Sequence, residues 1–353
     1  MTRTLIRPTA FVDAPFGHDG KVARLAGGLN WFSAVELLTI DGTRRVASEL
    51  VPVEGIETRF DDAMAADWAR LTAARPPLTM GTRTIRLDQP QVMAIVNITP
   101  DSFSDGGLYL DTDAGLTHAL RLVGEGADIL DIGGESSRPG AEPVAEAEEI
   151  ARVVPLITRI RARSSVPLSI DPVKPAVARA AMAAGASIWN DIAALSAPGA
   201  PETAAELGCE VILMHMQGEP RTMQAAPRYD NVVAEVCAFL LARAQAALAA
   251  GVARDRIWLD PGVGFGKTLE HNLALLAALD QITNLGFPVL LGVSRKSFLA
   301  RLDPAAKDPA HRLGGSLAGA LAGASAGVAA VRVHDVAETV QALRVWSAVA
   351  GRT

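Results

Sequence analysis

From residue 91 onward the chain alternates between short, almost wholly apolar runs and longer alanine-rich stretches. The runs are VMAIVN (92–97), DILDIG (128–133), PLSID (167–171), SIWNDI (187–192), VILMHM (211–216), IWLDPG (257–262), PVLLGVS (288–294) and GVAAVRVH (327–334). Near-continuous apolarity is what a strand buried on both faces requires. The stretches between them carry helical spacing, as in Val233, Val236, Cys237, Leu240 and Leu241, or Leu273, Leu276 and Leu279. Strand and helix in strict alternation imply a parallel sheet with right-handed crossovers. Eight such units in about 260 residues predict an α/β fold, a (β/α)8 TIM barrel. An open doubly wound sheet would need a glycine-rich phosphate fingerprint after its first strand, and VMAIVNITPDS has none.

The first part of the chain follows another pattern. ELLTI and TRRVASEL flank Asp41-Gly42, a two-residue hairpin signal. Phe60, Met64, Trp68 and Leu71 line one face of a short helix that Pro76-Pro77 ends. Residues 78–88 alternate like a second hairpin leading into the first barrel strand. The expected organisation is a small α+β extension over 1–77, its purpose unread, followed by the barrel over 78–353.

Composition narrows the classes. The chain has 353 residues, 49% of them apolar and 20% charged, which argues against disorder. Basic residues number 33 against 39 acidic ones, a net charge of -6, so no nucleic-acid partner is expected. Two cysteines, Cys209 and Cys237, exclude a disulfide framework and a cysteine-rich zinc site, and read as buried thiols. The first residues hold no apolar run suited to a signal peptide, so a cytoplasmic location is expected. Leu313 to Val331 carries no charge and has glycines at 315, 319, 323 and 327. It holds few bulky side chains, so the spacing is read as a helix packed closely on its neighbour, with no membrane partner.

In such a barrel the chemistry lies at the C-terminal ends of the strands. The residues there are Asn97, Asp131, Asp171, Asn190 with Asp191, His215, Asp260, Ser294-Arg295-Lys296-Ser297, and Arg332 with His334. A single such Asp is often a cap or turn former; polar or charged residues at every strand end make a site. NITPDSFSDGG (97–107) reads as a lid loop. GGESSRPG (133–140) has paired glycines, hydroxyls and Arg138, suited to an anion or carboxylate. Lys296, Arg332 and nearby hydroxyls occupy the usual phosphate position of this fold and predict a phosphate or diphosphate. Asp171, Asn190 and Asp260 must face N–H donors, as on a planar heterocycle, with a metal ion as the alternative. Asp131 reads either as a packing partner or as part of the ligand shell. DPGVGFGKT (260–268) imitates a P-loop, but the position of the first glycine is Pro261.

Taken together, NITPDSFSDGG, DIGGESSRPG, SIDPVKP, WNDI, LMHMQGEP, DPGVGFGK, GVSRKS and RVHD, in this order, resemble the dihydropteroate synthases, folate-pathway enzymes that join a pterin to p-aminobenzoate. The resemblance covers about residues 78–353. It implies that Asn97 helps hold Mg²⁺ on the diphosphate of the pterin substrate. It implies that Asp171, Asn190, Asp260 and Lys296 hold the pterin ring and that Arg332 and His334 contact the diphosphate. It places Ser137, Arg138, Pro139, Phe265 and Ser297 around p-aminobenzoate. Asp171, Lys296, Arg332 and His334 are then the residues nearest the chemistry. The implied reaction is dissociative: diphosphate leaves the pterin methylene carbon, and the arylamine nitrogen traps the cation. A homodimer is the family expectation.

Three positions depart from the family pattern. Ser137 stands where threonine is usual, Pro172 where threonine or serine is usual, and Glu219 where threonine is usual. Two other functions fit part of the pattern. A pterin-dependent corrinoid methyltransferase would share the Asp/Asn clamp but would not need Asn97, Lys296, Arg332 and His334 as a magnesium-diphosphate site. A non-catalytic pterin-binding paralogue would bind without turnover.

Overall fold

The computed structural model describes residues 2–13, 15–41, 44–80, 83–98, 108–136 and 142–349. Eight parallel strands form one sheet: β7 (Gln91–Asn97), β8 (Ile129–Gly133), β9 (Leu168–Ile170), β10 (Ile188–Asp191), β11 (Glu210–Met214), β12 (Ile257–Asp260), β13 (Leu290–Leu291) and β14 (Ala330–Val333). β14 pairs with β7, and a parallel bridge from Leu259 to Val289 closes the ring between β12 and β13. Helices α2 (Leu108–Gly124), α3 (Glu146–Arg161), α4 (Pro175–Ala184), α5 (Ala200–Leu207), α6 (Val232–Ala249), α7 (Leu269–Ala277) with α8 (Leu279–Thr283), α9 (Ser297–Leu302) with α10 (Leu313–Ser325), and α11 (Val336–Val349) lie between and after them. The eight expected strands are all present, and the fold is a TIM barrel.

Two apolar layers explain why the strands carry so little polar sequence. Outward-facing residues such as Val92, Ala94, Leu130, Leu168, Val211 and Leu259 pack under the helices in one large cluster. Inward-facing Met93, Ile129, Ile188, Ile212, Trp258 and Leu290 fill the lower barrel. The expected hairpin is there as β5 (Leu78–Met80) and β6 (Arg83–Ile85), and its Leu78 and Ile85, followed by Leu87, join the inner cluster and plug the barrel's base.

The glycine stripe of α10 serves close packing. A side chain at Gly319 would meet Val293 Cγ1 at 2.6 Å, and one at Gly323 would meet Leu291 Cδ2 at 2.6 Å. Cys209 and Cys237 are buried and form no disulfide. One helix among the described residues, α6, is long and apolar enough to cross a membrane; here Val232, Val236, Cys237, Leu240, Ala244 and Ala247 bury one of its faces in the outer core.

The N-terminal part is a four-stranded antiparallel sheet of β1 (Thr2–Val12), β2 (Ala23–Arg24), β3 (Trp31–Asp41) and β4 (Arg44–Pro52), with helix α1 (Asp62–Thr72) on it. The expected hairpin is β3–β4, with Asp41 opposite Arg44; its turn residues Gly42 and Thr43 lie outside the described residues. Asp61 caps α1 by accepting the Met64 N–H at 2.8 Å. Met64 and Leu71 are buried, Phe60 and Trp68 pack beside them, and Trp68 meets Phe32 edge to face at 5.8 Å.

The sequence pattern did not foretell β1. Pro8 interrupts that run and demotes it on sequence grounds, but β1 pairs only with β3, and an edge strand tolerates the missing N–H. This sheet docks on the barrel's base. Arg7 Nε lies 2.6 Å from Asp280, Asn284 donates to the Ile6 carbonyl at 2.6 Å, and buried Asn30 donates to the carbonyls of Ala324 (3.0 Å) and Ser325 (3.1 Å).

Candidate active site

The site grows out of the barrel's period-two alternation. A residue two positions beyond an inward-facing one faces inward again, one layer nearer the C-terminal mouth. Ile129 is followed in this way by Asp131, Ile188 by Asn190, Trp258 by Asp260 and Ala330 by Arg332. Asp171 stands two beyond buried Ser169. The apolar plug therefore gives way, within one step along each strand, to a ring of polar groups.

Arg332 ties that ring together. Its Nε lies 2.6 Å from Asp131 Oδ2 and its Nη2 3.4 Å from Asp171 Oδ2. Asn190 donates to the same Asp131 oxygen at 3.2 Å. Burial and the neighbouring Asp131 charge push the Asp171 carboxyl well above the usual range, against the pull of Arg332. Asp260 is raised by burial too, although it accepts the Gly262 N–H at 2.7 Å and feels Lys296 and Arg332. Three carboxyls thus share one half-buried guanidinium and one half-buried ammonium. Asp131, which the sequence left between packing and ligand shell, is fully buried and holds both Arg332 and Asn190; its Oδ1 has no partner among the described residues.

The cationic side follows β13 and β14. Burial and Arg332 lower Lys296 to about 8, and its Nζ lies 4.0 Å from the centre of the Phe265 ring. Burial and Arg332 lower His334 to about 3, so its imidazole is neutral near pH 7. Ser294 Oγ accepts the His334 backbone N–H at 3.1 Å, which leaves the hydroxyl hydrogen for His334 Nδ1 at 3.0 Å. That arrangement puts the ring proton on Nε2, where it can be donated to an anion. Ser297 opens α9 beside Lys296. Arg295 is committed elsewhere, bridged to Asp335 with its Nε 3.1 Å from Oδ2.

Asn97 ends β7. A Cβ on Gly133 would meet Asn97 Oδ1 at 3.0 Å and the Asp171 carboxylate oxygens at 3.1 and 3.2 Å, so this glycine leaves room where an amide oxygen and a carboxylate converge. Among the described residues no group of three or more His, Cys, Asp or Glu forms a protein-only metal cage. Mg²⁺ is commonly held by one or two protein oxygens together with substrate phosphates and water, and Asn97 beside Asp171 fits that sparse kind of site.

Ser137, Arg138 and Pro139 lie outside the described residues, as does 99–107, most of the expected lid. The residues leading to the first of these loops are anchored: Lys174 Nζ bonds Glu135 and, at 2.7 Å, buried Glu149, while Arg152 donates to the Gly134 carbonyl at 2.9 Å. Neither Glu149 nor Lys174 was singled out from sequence. Two other strand-end residues have structural tasks. Asp191 accepts the N–H groups of Ala193 and Leu195, both at 2.7 Å, closing a turn. His215 is buried against Lys267.

The family profile described as "Pterin binding enzyme" matches residues 93–334. The chain belongs to this pterin-binding enzyme family. Within it, the relatives are dihydropteroate synthases. The enzyme of Escherichia coli K12 is 48% identical over 262 residues, 74% of this chain and 92% of its own length, and that of Neisseria meningitidis serogroup B is 49% identical over 281 residues, covering 78% and 98%. Among solved structures, the Xanthomonas albilineans dihydropteroate synthase with 4-aminobenzoic acid superposes with a TM-score of 0.74 at 50% identity, covering 78% of this chain and 98% of that one. The same enzyme in complex with 7,8-dihydropteroate gives 0.70 at 48% identity.

Proposed function

We propose that this chain is a dihydropteroate synthase, a transferase that joins (7,8-dihydropterin-6-yl)methyl diphosphate to p-aminobenzoate and releases diphosphate. The carrying observation is the ring of Asp171, Asn190, Asp260, Lys296 and Arg332 at one barrel mouth, in a chain with relatives that carry this name at 41–49% identity. In this reading Asp171, Asn190 and Asp260 hold the amino and ring N–H groups of the pterin. Lys296 completes that pterin clamp, and Arg332 and the Nε2–H of His334 stabilise the leaving diphosphate, whose charge grows as the bond breaks. A cation forming on the pterin is favoured beside Asp171 and Asp260, and it in turn favours their ionised forms. The arylamine arrives neutral, so its lone pair attacks without prior deprotonation, and the nitrogen gives up its proton after the C–N bond forms.

Mg²⁺ belongs to the same proposal: Asn97 would supply a protein oxygen, and the ion would offset diphosphate charge. Ser137, Arg138, Pro139, Phe265 and Ser297 are assigned to the p-aminobenzoate side. A homodimer and a cytoplasmic location go with it. Cys209 and Cys237, which form no disulfide, suit a reducing compartment. The apolar face between α10 and α11, with Leu317, Leu321 and Val345 edged by Phe11, suits burial against a second copy.

The test is product formation from the two substrates with and without Mg²⁺. Dihydropteroate and diphosphate should appear together, and only with the ion. Product without Mg²⁺ would remove the metal from the proposal. Pterin diphosphate binding without product would favour the non-catalytic paralogue. Methyl transfer to a corrinoid is disfavoured by the relatives and would show as turnover independent of p-aminobenzoate.

A further inference from the structure

Lys267 is a buried cation that the mechanism leaves unused. It is the lysine of the P-loop-like stretch, yet it is 3% exposed and faces no open cleft. Its Nζ is surrounded by His215 Nδ1 at 2.9 Å and by the carbonyls of Gly262 (2.9 Å), Phe265 (2.9 Å) and His215 (3.3 Å). Burial lowers Lys267 to about 7; in its ammonium form it has three hydrogens and no lone pair, and Nδ1 then accepts. Burial and the neighbouring Lys267 charge lower His215 to about 3, consistent with that accepting form.

These contacts bind the loop after β12 to the end of β11. The loop is pinned at its other polar atoms as well. Gln224 donates to the Gly264 carbonyl at 2.6 Å, Tyr229 to the Gly266 carbonyl at 2.8 Å, and Asn272 accepts the Gly264 N–H at 2.7 Å. Gly262 lies so close to β11 that a Cβ there would fall 1.8 Å from the His215 carbonyl oxygen. The loop carries Phe265, whose ring meets Lys296.

We propose that Lys267 is a positioning residue: its buried side-chain nitrogen holds the 262–266 loop against β11 so that Phe265 stays over Lys296 and walls the p-aminobenzoate site. Gln224 is exposed and Tyr229 half-buried, so Lys267 and Asn272 are the loop's two buried side-chain anchors, and of these Lys267 alone reaches across to β11. The role rests on the assignment of Phe265 to the arylamine side made above.

The test is a double-mutant cycle on the full chain, with p-aminobenzoate varied at saturating pterin diphosphate and Mg²⁺. Lys267→Met should raise the KM for p-aminobenzoate about tenfold or more while kcat and the KM for pterin diphosphate stay within about threefold, the signature of lost binding rather than lost chemistry. Phe265→Ala should shift the same constant. The double variant should be no worse than the worse single one, because both changes remove one wall. An unshifted KM in Lys267→Met, equal losses in kcat and kcat/KM, or additive effects would each overturn the proposal. If Lys267→Met does not fold, Lys267→Gln, which retains two N–H donors, should shift KM in the same direction by less; an unchanged KM there overturns it equally. Wild-type protein that forms no dihydropteroate would instead overturn the functional reading.

Discussion

The Asp131 carboxylate and the Arg332 guanidinium meet at 2.6 Å in the centre of the barrel, and the carboxylate is fully buried. This pair orients Arg332 towards Asp171 and fixes Asn190 through the same oxygen. Asp131→Asn should lower kcat/KM by about 100-fold, because Arg332 loses its anchor and a misplaced group weakens oriented catalysis steeply. Breaking a buried pair also costs about 3–5 kcal/mol of stability. Steady-state kinetics and thermal unfolding of the variant check both outcomes, and wild-type kinetics would refute the orienting role.

Lys296 is expected to act on the transition state. Lys296→Ala should cost about 3–4 kcal/mol in kcat/KM, the scale of losing one oriented electrostatic partner. Measured activity near the wild-type value would remove Lys296 from the site.

His334 gives a signed pH dependence. Its folded-state value is lowered from 6.5 to about 3 by burial and Arg332, so between these values the unfolded chain binds the extra proton. Its contribution is present above about 6.5 and is lost as pH falls towards about 3. His334→Gln should therefore lose less stability than wild type over that acid window. Chemical denaturation of both proteins at a series of pH values checks this; parallel curves would contradict it.

The N-terminal sheet should be part of the same folding unit as the barrel. Asn30→Ala removes the side-chain donor that buried Asn30 gives to the carbonyls of Ala324 and Ser325, which costs about 1–2 kcal/mol. The site lies at the opposite end of the strands, so kcat should be unchanged. A variant of unaltered melting temperature would show that this contact contributes nothing.

The sequence alone determined the strand count, because runs buried on both faces cannot be written in polar residues. It also determined which polar residues stand at the strand ends: Asp171, Asn190, Asp260, Lys296, Arg332 and His334 were legible from the points where each run stops. The glycine stripe of α10 was legible as close packing for the same local reason. What it could not determine was how those residues divide their bonds. Asp131 and Asp191 look alike as strand-end carboxylates, yet one anchors Arg332 and the other closes a backbone turn. Arg295 and Lys296 are adjacent, yet Asp335 takes the first and Phe265 faces the second. Lys267 reads as part of a failed phosphate loop until His215, 52 residues away, is seen beside it. The edge strand β1 was hidden by Pro8, whose missing N–H is tolerated on a strand that has a neighbour on one side only. Local periodicity sets which face a residue lies on. Partners separated by tens to hundreds of positions are chosen only when the closed barrel brings them within hydrogen-bonding distance.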